Sequence, residues 1–180
     1  MKEKESLRKE YKKIRSKVQN KEDKSHLIFN TIKELEIYQK SKIIGIYNSF
    51  KDEVLTKEII KYSLSKEKVV CIPKVISKSK MVFIKIDQGY NLDIREPEME
   101  DTKIINPKEI ELMIVPGICF DKNKNRVGFG KAYYDNYLKN TRSYNIGICF
   151  EEQILKNDLI LTTPNDIVLD MVVTEEKLYS

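Results

Sequence analysis

The sequence predicts an α/β fold, a single three-layer domain with a mainly parallel central sheet flanked by helices. Apolar runs of strand length alternate with segments that have the periodicity of a helix. The apolar runs are continuous, which is typical of parallel strands that are buried on both faces. A length of 180 residues suits one domain, and no repeat or linker divides residues 1–180.

The individual elements follow from the spacing of the apolar residues. In the first segment Leu7, Tyr11, Ile14 and Val18 recur every three or four residues and form one stripe of a helix. Helices are expected at residues 3–18, 22–39, 56–66 and 131–139, and strands at 43–47, 69–72, 81–86, 111–115, 144–150 and 168–174. Pro73 is expected to end the second strand, and the turn-rich residues 87–108 are expected to form a long surface excursion.

Composition excludes several classes of protein. No apolar run approaches the roughly 20 residues of a membrane span, and no apolar segment follows the charged N-terminus, so neither a membrane protein nor a secretory signal is expected. We therefore expect a cytoplasmic protein. The single histidine, His26, lies in a polar helical segment, so a Ser-His-Asp triad is not expected, and a His-rich zinc site is excluded. Cys71, Cys119 and Cys149 form no CxxC pair and are expected to be reduced and buried.

The net charge of +5 is concentrated near the N-terminus. Residues 1–24 contain ten Lys or Arg and five Asp or Glu, so the remainder of the chain is neutral overall. A positive segment of this kind suits an anionic partner, either nucleic acid or a small polyanion such as a triphosphate.

The chemically richest passage is residues 116–135. It follows a predicted strand and combines glycines, which let a backbone approach a ligand closely, with an arginine, a lysine and adjacent tyrosines. Two common phosphate motifs are absent, because Asn125 replaces the first P-loop glycine and Tyr133 replaces the last glycine of a dinucleotide fingerprint. Backbone N–H groups of such a turn can still bind phosphate, but a purely structural turn between strand and helix fits the pattern equally well.

Each candidate side chain also has a structural interpretation. Tyr133 and Tyr134 would pack in the core, but adjacent helical residues cannot share a face, so at least one is expected to point toward the loop. Asp135 would either complement the helix dipole or bind Mg²⁺ beside phosphates. Lys4 and Arg8 are four residues apart and share one helix face, which is either solvated or binds a phosphate chain.

Taken together, these residues resemble the signature of the 5-formyltetrahydrofolate cyclo-ligase family. The matching pattern is Pro116-Gly117-x-x-Phe120-Asp121, then four residues, then Arg126-Val127-Gly128-x-Gly130-x-x-Tyr133-Tyr134-Asp135. Further similarity follows in the family's order at residues 4–8, 52–56, 72–74 and 165–175. The departures are Ala132 and Asn125 for glycines, Val127 for a leucine and Asn165 for a histidine. None of them removes a charged or aromatic group that the chemistry needs.

The resemblance implies an enzyme that converts 5-formyltetrahydrofolate to 5,10-methenyltetrahydrofolate. The implied reaction uses ATP with Mg²⁺ and releases ADP and phosphate, through phosphorylation of the formyl oxygen and ring closure by N10. Residues implied to bind ATP are Lys4, Arg8, Arg126, Gly128, Phe129, Gly130, Lys131 and Tyr134. Those implied for the folate are Glu53, Met81, Tyr133 and Tyr134, and those for the metal are Asp135 and Asp166. Lys131 and Arg126 are the candidates for catalysis, as cations that stabilise the transferring phosphoryl group.

Two alternatives remain at this stage. The basic N-terminal segment could bind nucleic acid, although its acids are interleaved, its aromatic residues are sparse and its apolar stripe requires a docking surface. A different small-molecule phosphotransferase could share the phosphate residues without the Glu53 and tyrosine pocket. The leading hypothesis expects a monomer that acts on small molecules and binds neither nucleic acid nor membrane.

Overall fold

The computed structural model describes all 180 residues and contains five α-helices and nine strands. The helices are α1 (Lys4–Lys17), α2 (Lys21–Glu34), α3 (Glu36–Lys40), α4 (Lys57–Ser65) and α5 (Tyr133–Leu138). The strands are β1 (Ile43–Ile46), β2 (Val69–Val75), β3 (Met81–Ile86), β4 (Leu112–Val115), β5 (Cys119–Phe120), β6 (Arg126–Val127), β7 (Tyr144–Ile148), β8 (Met171–Val173) and β9 (Leu178–Tyr179).

Seven strands form one sheet in the order β3-β2-β1-β4-β7-β8-β9. Strands β2, β1, β4, β7 and β8 pair in parallel, whereas β3 and β9 add antiparallel strands at the two edges. Strands β5 and β6 form a separate two-stranded hairpin after β4. The predicted α/β fold with a mainly parallel sheet is therefore confirmed.

Both faces of the sheet are buried, because alternate residues of its strands enter two different apolar clusters. In β4, Leu112 and Ile114 join the cluster that includes residues of α2 and α4. Met113 and Val115 join the cluster on the other face, which includes Tyr137 of α5. Burial on both sides explains why this strand is continuously apolar in the sequence.

Helix α1 packs on the β5–β6 hairpin instead of the main sheet. Leu7 and Tyr11, two members of the predicted stripe, share a buried cluster with Cys119 and Val127 of the hairpin. This docking fixes the position of the first two turns of α1, which carry Lys4 and Arg8.

Several element boundaries differ from the sequence prediction. The predicted helix at 22–39 is divided into α2 and α3, because Leu35 has an extended backbone with φ −68° and ψ 131°. The prediction that Pro73 ends β2 was wrong. Beyond Cys71 the strand has no partner in β1 and pairs only with β3, so a missing N–H on its open side breaks no ladder bond. Helix α5 begins at Tyr133, since Ala132 has a left-handed backbone.

Some remaining features of the fold agree with the sequence prediction, and others were not predicted. The strand predicted at 144–150 ends at Ile148, the strand predicted at 168–174 spans only Met171–Val173, and the short strands β5, β6 and β9 were not predicted. All three cysteines are free and buried, as expected. None of the helices is both long enough and apolar enough to cross a membrane.

We predict that Leu7→Ala destabilises the protein by about 2–5 kcal/mol, because Leu7 is fully buried between α1 and the hairpin. The same substitution at Leu27, a half-exposed residue of α2, should cost less than about 0.5 kcal/mol. Urea unfolding of both variants measures the difference. Equal losses at the two positions would contradict the assigned docking of α1.

Candidate active site

A cavity of about 410 Å³ lies where β1 and β4 end. Tyr47 follows β1 directly and Pro116 follows β4 directly, and both line the cavity. This is the edge at which parallel α/β sheets bind ligands. The structure brings to this cavity every residue that the sequence analysis proposed for the site: Lys4, Arg8, Glu53, Met81, Arg126, Gly128, Phe129, Gly130, Lys131, Tyr133, Tyr134, Asp135 and Asp166.

The sequence analysis missed several lining residues. Tyr47 and Asn48 follow β1, and the rule that ligands bind at the carboxyl ends of parallel strands could have identified them. Arg95 and Glu96 belong to the 87–108 excursion, and no local pattern indicated that this segment returns to the site. The remaining missed residues are Pro73, Val75, Pro116 and Ala132.

Arg126 is the most buried cation of the cavity, with 5% of its side chain exposed. Its guanidinium donates a hydrogen bond of 3.0 Å to the Asp135 carboxylate and lies over the Tyr134 ring at 5.5 Å from its centroid. A Cβ atom at Gly128 would come within 2.6 Å of Arg126 Nη1. The glycine at position 128 therefore makes room for this arginine.

The loop between β6 and α5 joins the cavity to α1. Gly130 has a φ of +97°, which L side chains rarely adopt, so the turn requires glycine at this position. Arg8 Nε donates a 2.9 Å hydrogen bond to the Gly128 carbonyl oxygen. The loop is thus held from α1 on one side and from the Arg126–Asp135 pair on the other.

Lys4 reaches the cavity from the first turn of α1 and pairs with the Asp166 carboxylate. Asp166 also accepts a hydrogen bond of 2.6 Å from the backbone N–H of Thr163. Burial alone would raise the pKa of Asp166, but the hydrogen bonds from Lys4 and Thr163 outweigh it and lower that pKa. Asp166 is therefore ionised in the neutral pH range.

Asp135 and Asp166 are held close to each other in the structure. Asp135 Oδ1 accepts a 3.2 Å hydrogen bond from the backbone N–H of Ile167, the residue that follows Asp166. No group of three or more His, Cys, Asp and Glu residues is arranged to hold a metal ion. Two carboxylates fit Mg²⁺ in a nucleotide site, because this ion is usually held by one or two carboxylates, substrate phosphates and water.

Glu53 introduces a partly buried carboxylate into the same cavity. It accepts a 2.8 Å hydrogen bond from the Phe50 N–H. Burial raises the pKa of Glu53, and this effect exceeds the opposing effects of the Phe50 N–H and of the Arg15 and Arg95 cations. An acid with a raised pKa in a cleft is a candidate for ligand recognition.

Three cavity residues contain buried polar atoms that have no hydrogen-bond partner. These atoms are Asn48 Oδ1, Arg126 Nε and the Tyr134 hydroxyl oxygen. Asn48 also donates from Nδ2 to the carbonyl oxygens of Leu92 and Ile94, both at 2.9 Å. Buried unpaired polar atoms are rare in folded proteins, so their concentration here points to a ligand that completes the hydrogen bonding.

The two adjacent tyrosines contribute different parts of the wall. Tyr134 packs edge-on against Phe83 of β3, with ring centroids 6.4 Å apart. The Tyr133 hydroxyl donates a 3.2 Å hydrogen bond to the Ser77 carbonyl oxygen in the turn between β2 and β3. Neither ring is fully buried, and both line the cavity beside Met81, which agrees with the prediction that the pair cannot share one core face.

Known proteins resemble this chain in sequence and in structure. The sequence model of the 5-formyltetrahydrofolate cyclo-ligase family matches residues 1–175. A probable 5-formyltetrahydrofolate cyclo-ligase from Schizosaccharomyces pombe is 35% identical over 170 residues, which cover 84% of this chain and 83% of the relative. The 5-formyltetrahydrofolate cyclo-ligase of Mus musculus is 31% identical over 156 residues, 77% of this chain and 76% of the relative.

Two solved structures of 5,10-methenyltetrahydrofolate synthetases share the fold. The protein from Mycoplasma pneumoniae superimposes with a TM-score of 0.77 at 27% identity, covering 96% of this chain and 98% of the other. The protein from Aquifex aeolicus gives a TM-score of 0.82 at 27% identity, covering 97% and 91%. The family name indicates conversion of 5-formyltetrahydrofolate to 5,10-methenyltetrahydrofolate. With its motif, its cavity and these relatives, the chain belongs to the 5-formyltetrahydrofolate cyclo-ligase family of enzymes.

Proposed function

We propose that this enzyme forms 5,10-methenyltetrahydrofolate from 5-formyltetrahydrofolate in a reaction that consumes ATP, requires Mg²⁺ and releases ADP and phosphate. The observation that supports the proposal is a single cavity lined by two chemically different groups of residues. One group is cationic and suits a triphosphate. The other combines a carboxylate with aromatic walls and suits a pteridine. Because one chain supplies all these residues, we propose that the enzyme acts as a monomer.

The cationic group consists of Lys4, Arg8, Arg126 and Lys131, together with the glycine loop. Arginine forks and lysine ammonium groups are the side chains that proteins use to bind phosphate. Gly128 and Gly130 let the loop backbone lie close to a ligand. We propose that these groups bind the ATP phosphates, beside Phe129 and Tyr134.

The second group would bind the folate. A carboxylate such as Glu53 can accept hydrogen bonds from the N3–H and the 2-amino group of a pteridine. Met81, Tyr133 and Tyr134 provide apolar and aromatic surface for the flat ring. The unpaired Asn48 Oδ1 and Tyr134 hydroxyl are further groups that a polar heterocycle could satisfy.

The proposed chemistry needs no covalent intermediate on the protein. The formyl oxygen attacks the γ-phosphorus of ATP and ADP leaves, while the N5 lone pair forms a C=N bond to the formyl carbon. N10 then attacks that carbon, phosphate departs with the former formyl oxygen, and N10 loses its proton. No histidine or cysteine lines the cavity, which suits catalysis by positioning and by charge stabilisation.

Within this scheme each charged residue has a defined task. We propose that Lys131 and Arg126 stabilise the negative charge on the phosphoryl group during transfer. Asp135 and Asp166 would hold Mg²⁺, which when bound neutralises charge on the phosphates. Lys4 and Arg8 would bind the remaining phosphate oxygens and fix the position of the nucleotide relative to the formyl group.

A direct assay tests the proposed reaction. Purified enzyme mixed with 5-formyltetrahydrofolate, ATP and Mg²⁺ should produce the absorbance of the methenyl product, with one ADP formed per product molecule. Omission of ATP or chelation of Mg²⁺ should stop the signal. Folded enzyme that forms no product in the complete mixture, or forms product without ATP, would contradict the proposal.

We predict that Lys131→Ala lowers kcat by about a hundredfold or more, because the variant loses a cation at the transferring phosphoryl group. Lys131 is exposed at the cavity, so the melting temperature should remain unchanged. Lys122→Ala is the matched control, since Lys122 is an exposed lysine of the nearby β5–β6 turn that does not line the cavity. Equal activity of the two variants would remove Lys131 from the proposed mechanism.

We predict that folate binding by the wild-type enzyme strengthens as the pH rises from 5 to 8. Burial raises the pKa of Glu53, and only its ionised form accepts hydrogen bonds with both oxygens. Glu53→Gln should bind the folate more weakly at pH 8 and lose this pH dependence. Calorimetric titrations of both proteins with 5-formyltetrahydrofolate at several pH values measure the effect, and an unchanged profile in Glu53→Gln would refute the assignment.

A further inference from the structure

The four cations proposed to bind the phosphates differ in whether they are paired with a carboxylate. Lys4 is paired with Asp166, and Arg126 is paired with Asp135 at 3.0 Å. Arg8 and Lys131 form no ion pair with a carboxylate, and the Arg8 Nε contacts only a backbone carbonyl oxygen. Half of the phosphate-binding charge is therefore already bound to the two carboxylates assigned to the metal.

We propose that Asp135 and Asp166 act as counterions that keep Arg126 and Lys4 from free nucleotide, so that the cavity binds the nucleotide only as a complex with a divalent cation. This inference rests on the proposed function and deepens it. On binding of the complex, the carboxylates exchange Lys4 and Arg126 for the divalent cation. The two released cations then bind phosphate oxygens.

The burial of the two pairs makes the exchange conditional on the divalent cation. The exposed fractions of the side chains are 21% for Lys4 and 16% for Asp166, and 5% for Arg126 and 20% for Asp135. A free triphosphate that captured either cation would leave a partly buried carboxylate without a positive partner, which is strongly unfavourable. A divalent cation that arrives with the nucleotide compensates that charge, so every ionised group retains a partner.

The hydrogen bonds around the pairs indicate which partners move. Backbone N–H groups of Thr163 and Ile167 hold Asp166 and Asp135 in place. Lys4 is a flexible side chain on the first helical turn. Arg126 is nearly buried and its Nη1 also donates a 3.4 Å hydrogen bond to the Pro116 carbonyl oxygen, but its Nε has no partner in this state. The carboxylates are therefore the fixed half of each pair and the cations the exchangeable half. Because Ile167 follows Asp166 directly, the two exchanges are also coupled through the backbone.

The variant Asp166→Asn tests whether Asp166 acts as a counterion of Lys4 or only as a metal ligand. Calorimetric titration with ATP in EDTA should show that this variant binds metal-free ATP at least about fivefold more tightly than the wild type, because Lys4 is released. With excess Mg²⁺ the variant should bind ATP more weakly than the wild type. If Asp166 were only a metal ligand, the metal-free affinity would remain unchanged, and that result would overturn the inference.

Two controls exclude a general effect of charge. Asp158→Asn removes the same charge from an ion pair with Lys2, 3.2 Å long and outside the cavity lining, and should leave the metal-free ATP affinity unchanged. In a Lys4→Met background, Asp166→Asn should no longer strengthen metal-free binding. If Asp166→Asn strengthened metal-free ATP binding equally with and without Lys4, the effect would come from long-range electrostatics alone, and that result would overturn the inference.

Further variants keep the two proposals distinguishable. Asp135→Asn tests the second pair by the same titration once a thermal scan shows that it is folded, and Asp166→Ser replaces Asp166→Asn if the latter does not fold. Wild-type enzyme that binds no ATP even with Mg²⁺ would contradict the proposed function itself. Wild-type enzyme that binds Mg-ATP, combined with unchanged metal-free affinity in both variants, would overturn only the counterion role.

Discussion

The buried ion pair between Arg126 and Asp135 determines the shape of the site. It ties the end of the β5–β6 hairpin to the first turn of α5 and so closes the glycine loop from both sides. The pair also requires a glycine at position 128, because a side chain there would collide with Nη1 of Arg126. Loss of Asp135 would leave a nearly buried guanidinium unpaired, at a cost of about 3–5 kcal/mol. The same contact thus stabilises the fold and holds a cation at the cavity.

The position of α1 links the hydrophobic core to the chemistry. Its apolar stripe docks on the hairpin through Leu7, and this places Lys4 and Arg8 one helical turn apart at the cavity. The basic N-terminal segment is therefore only partly a solvated face. A helix that packed on the main sheet would leave these cations far from the glycine loop. Burial of apolar surface in one small cluster thus positions two of the four cations that we propose bind phosphate.

The sequence predicted those features that have a local physical cause. Continuous apolar runs identified the parallel strands, and the residues of the 116–135 passage predicted a site at a strand end, where the structure has its cavity. The break at Leu35 and the two-residue strands β5, β6 and β9 carry no periodic signal. Local sequence patterns also cannot predict contacts between segments that are far apart in the sequence. Lys4 contacts Asp166 across 162 positions, and Arg95 reaches the cavity from the turn-rich residues 87–108.

We propose that one cavity holds the triphosphate against the formyl group, so that the phosphoryl group passes directly between them. Substrate labelled with ¹⁸O in the formyl group measures this transfer. In reactions run to completion with ATP and Mg²⁺, we expect the released inorganic phosphate to carry the label from the formyl oxygen. Unlabelled phosphate, with the ¹⁸O recovered in water or retained by the folate, would contradict the proposal.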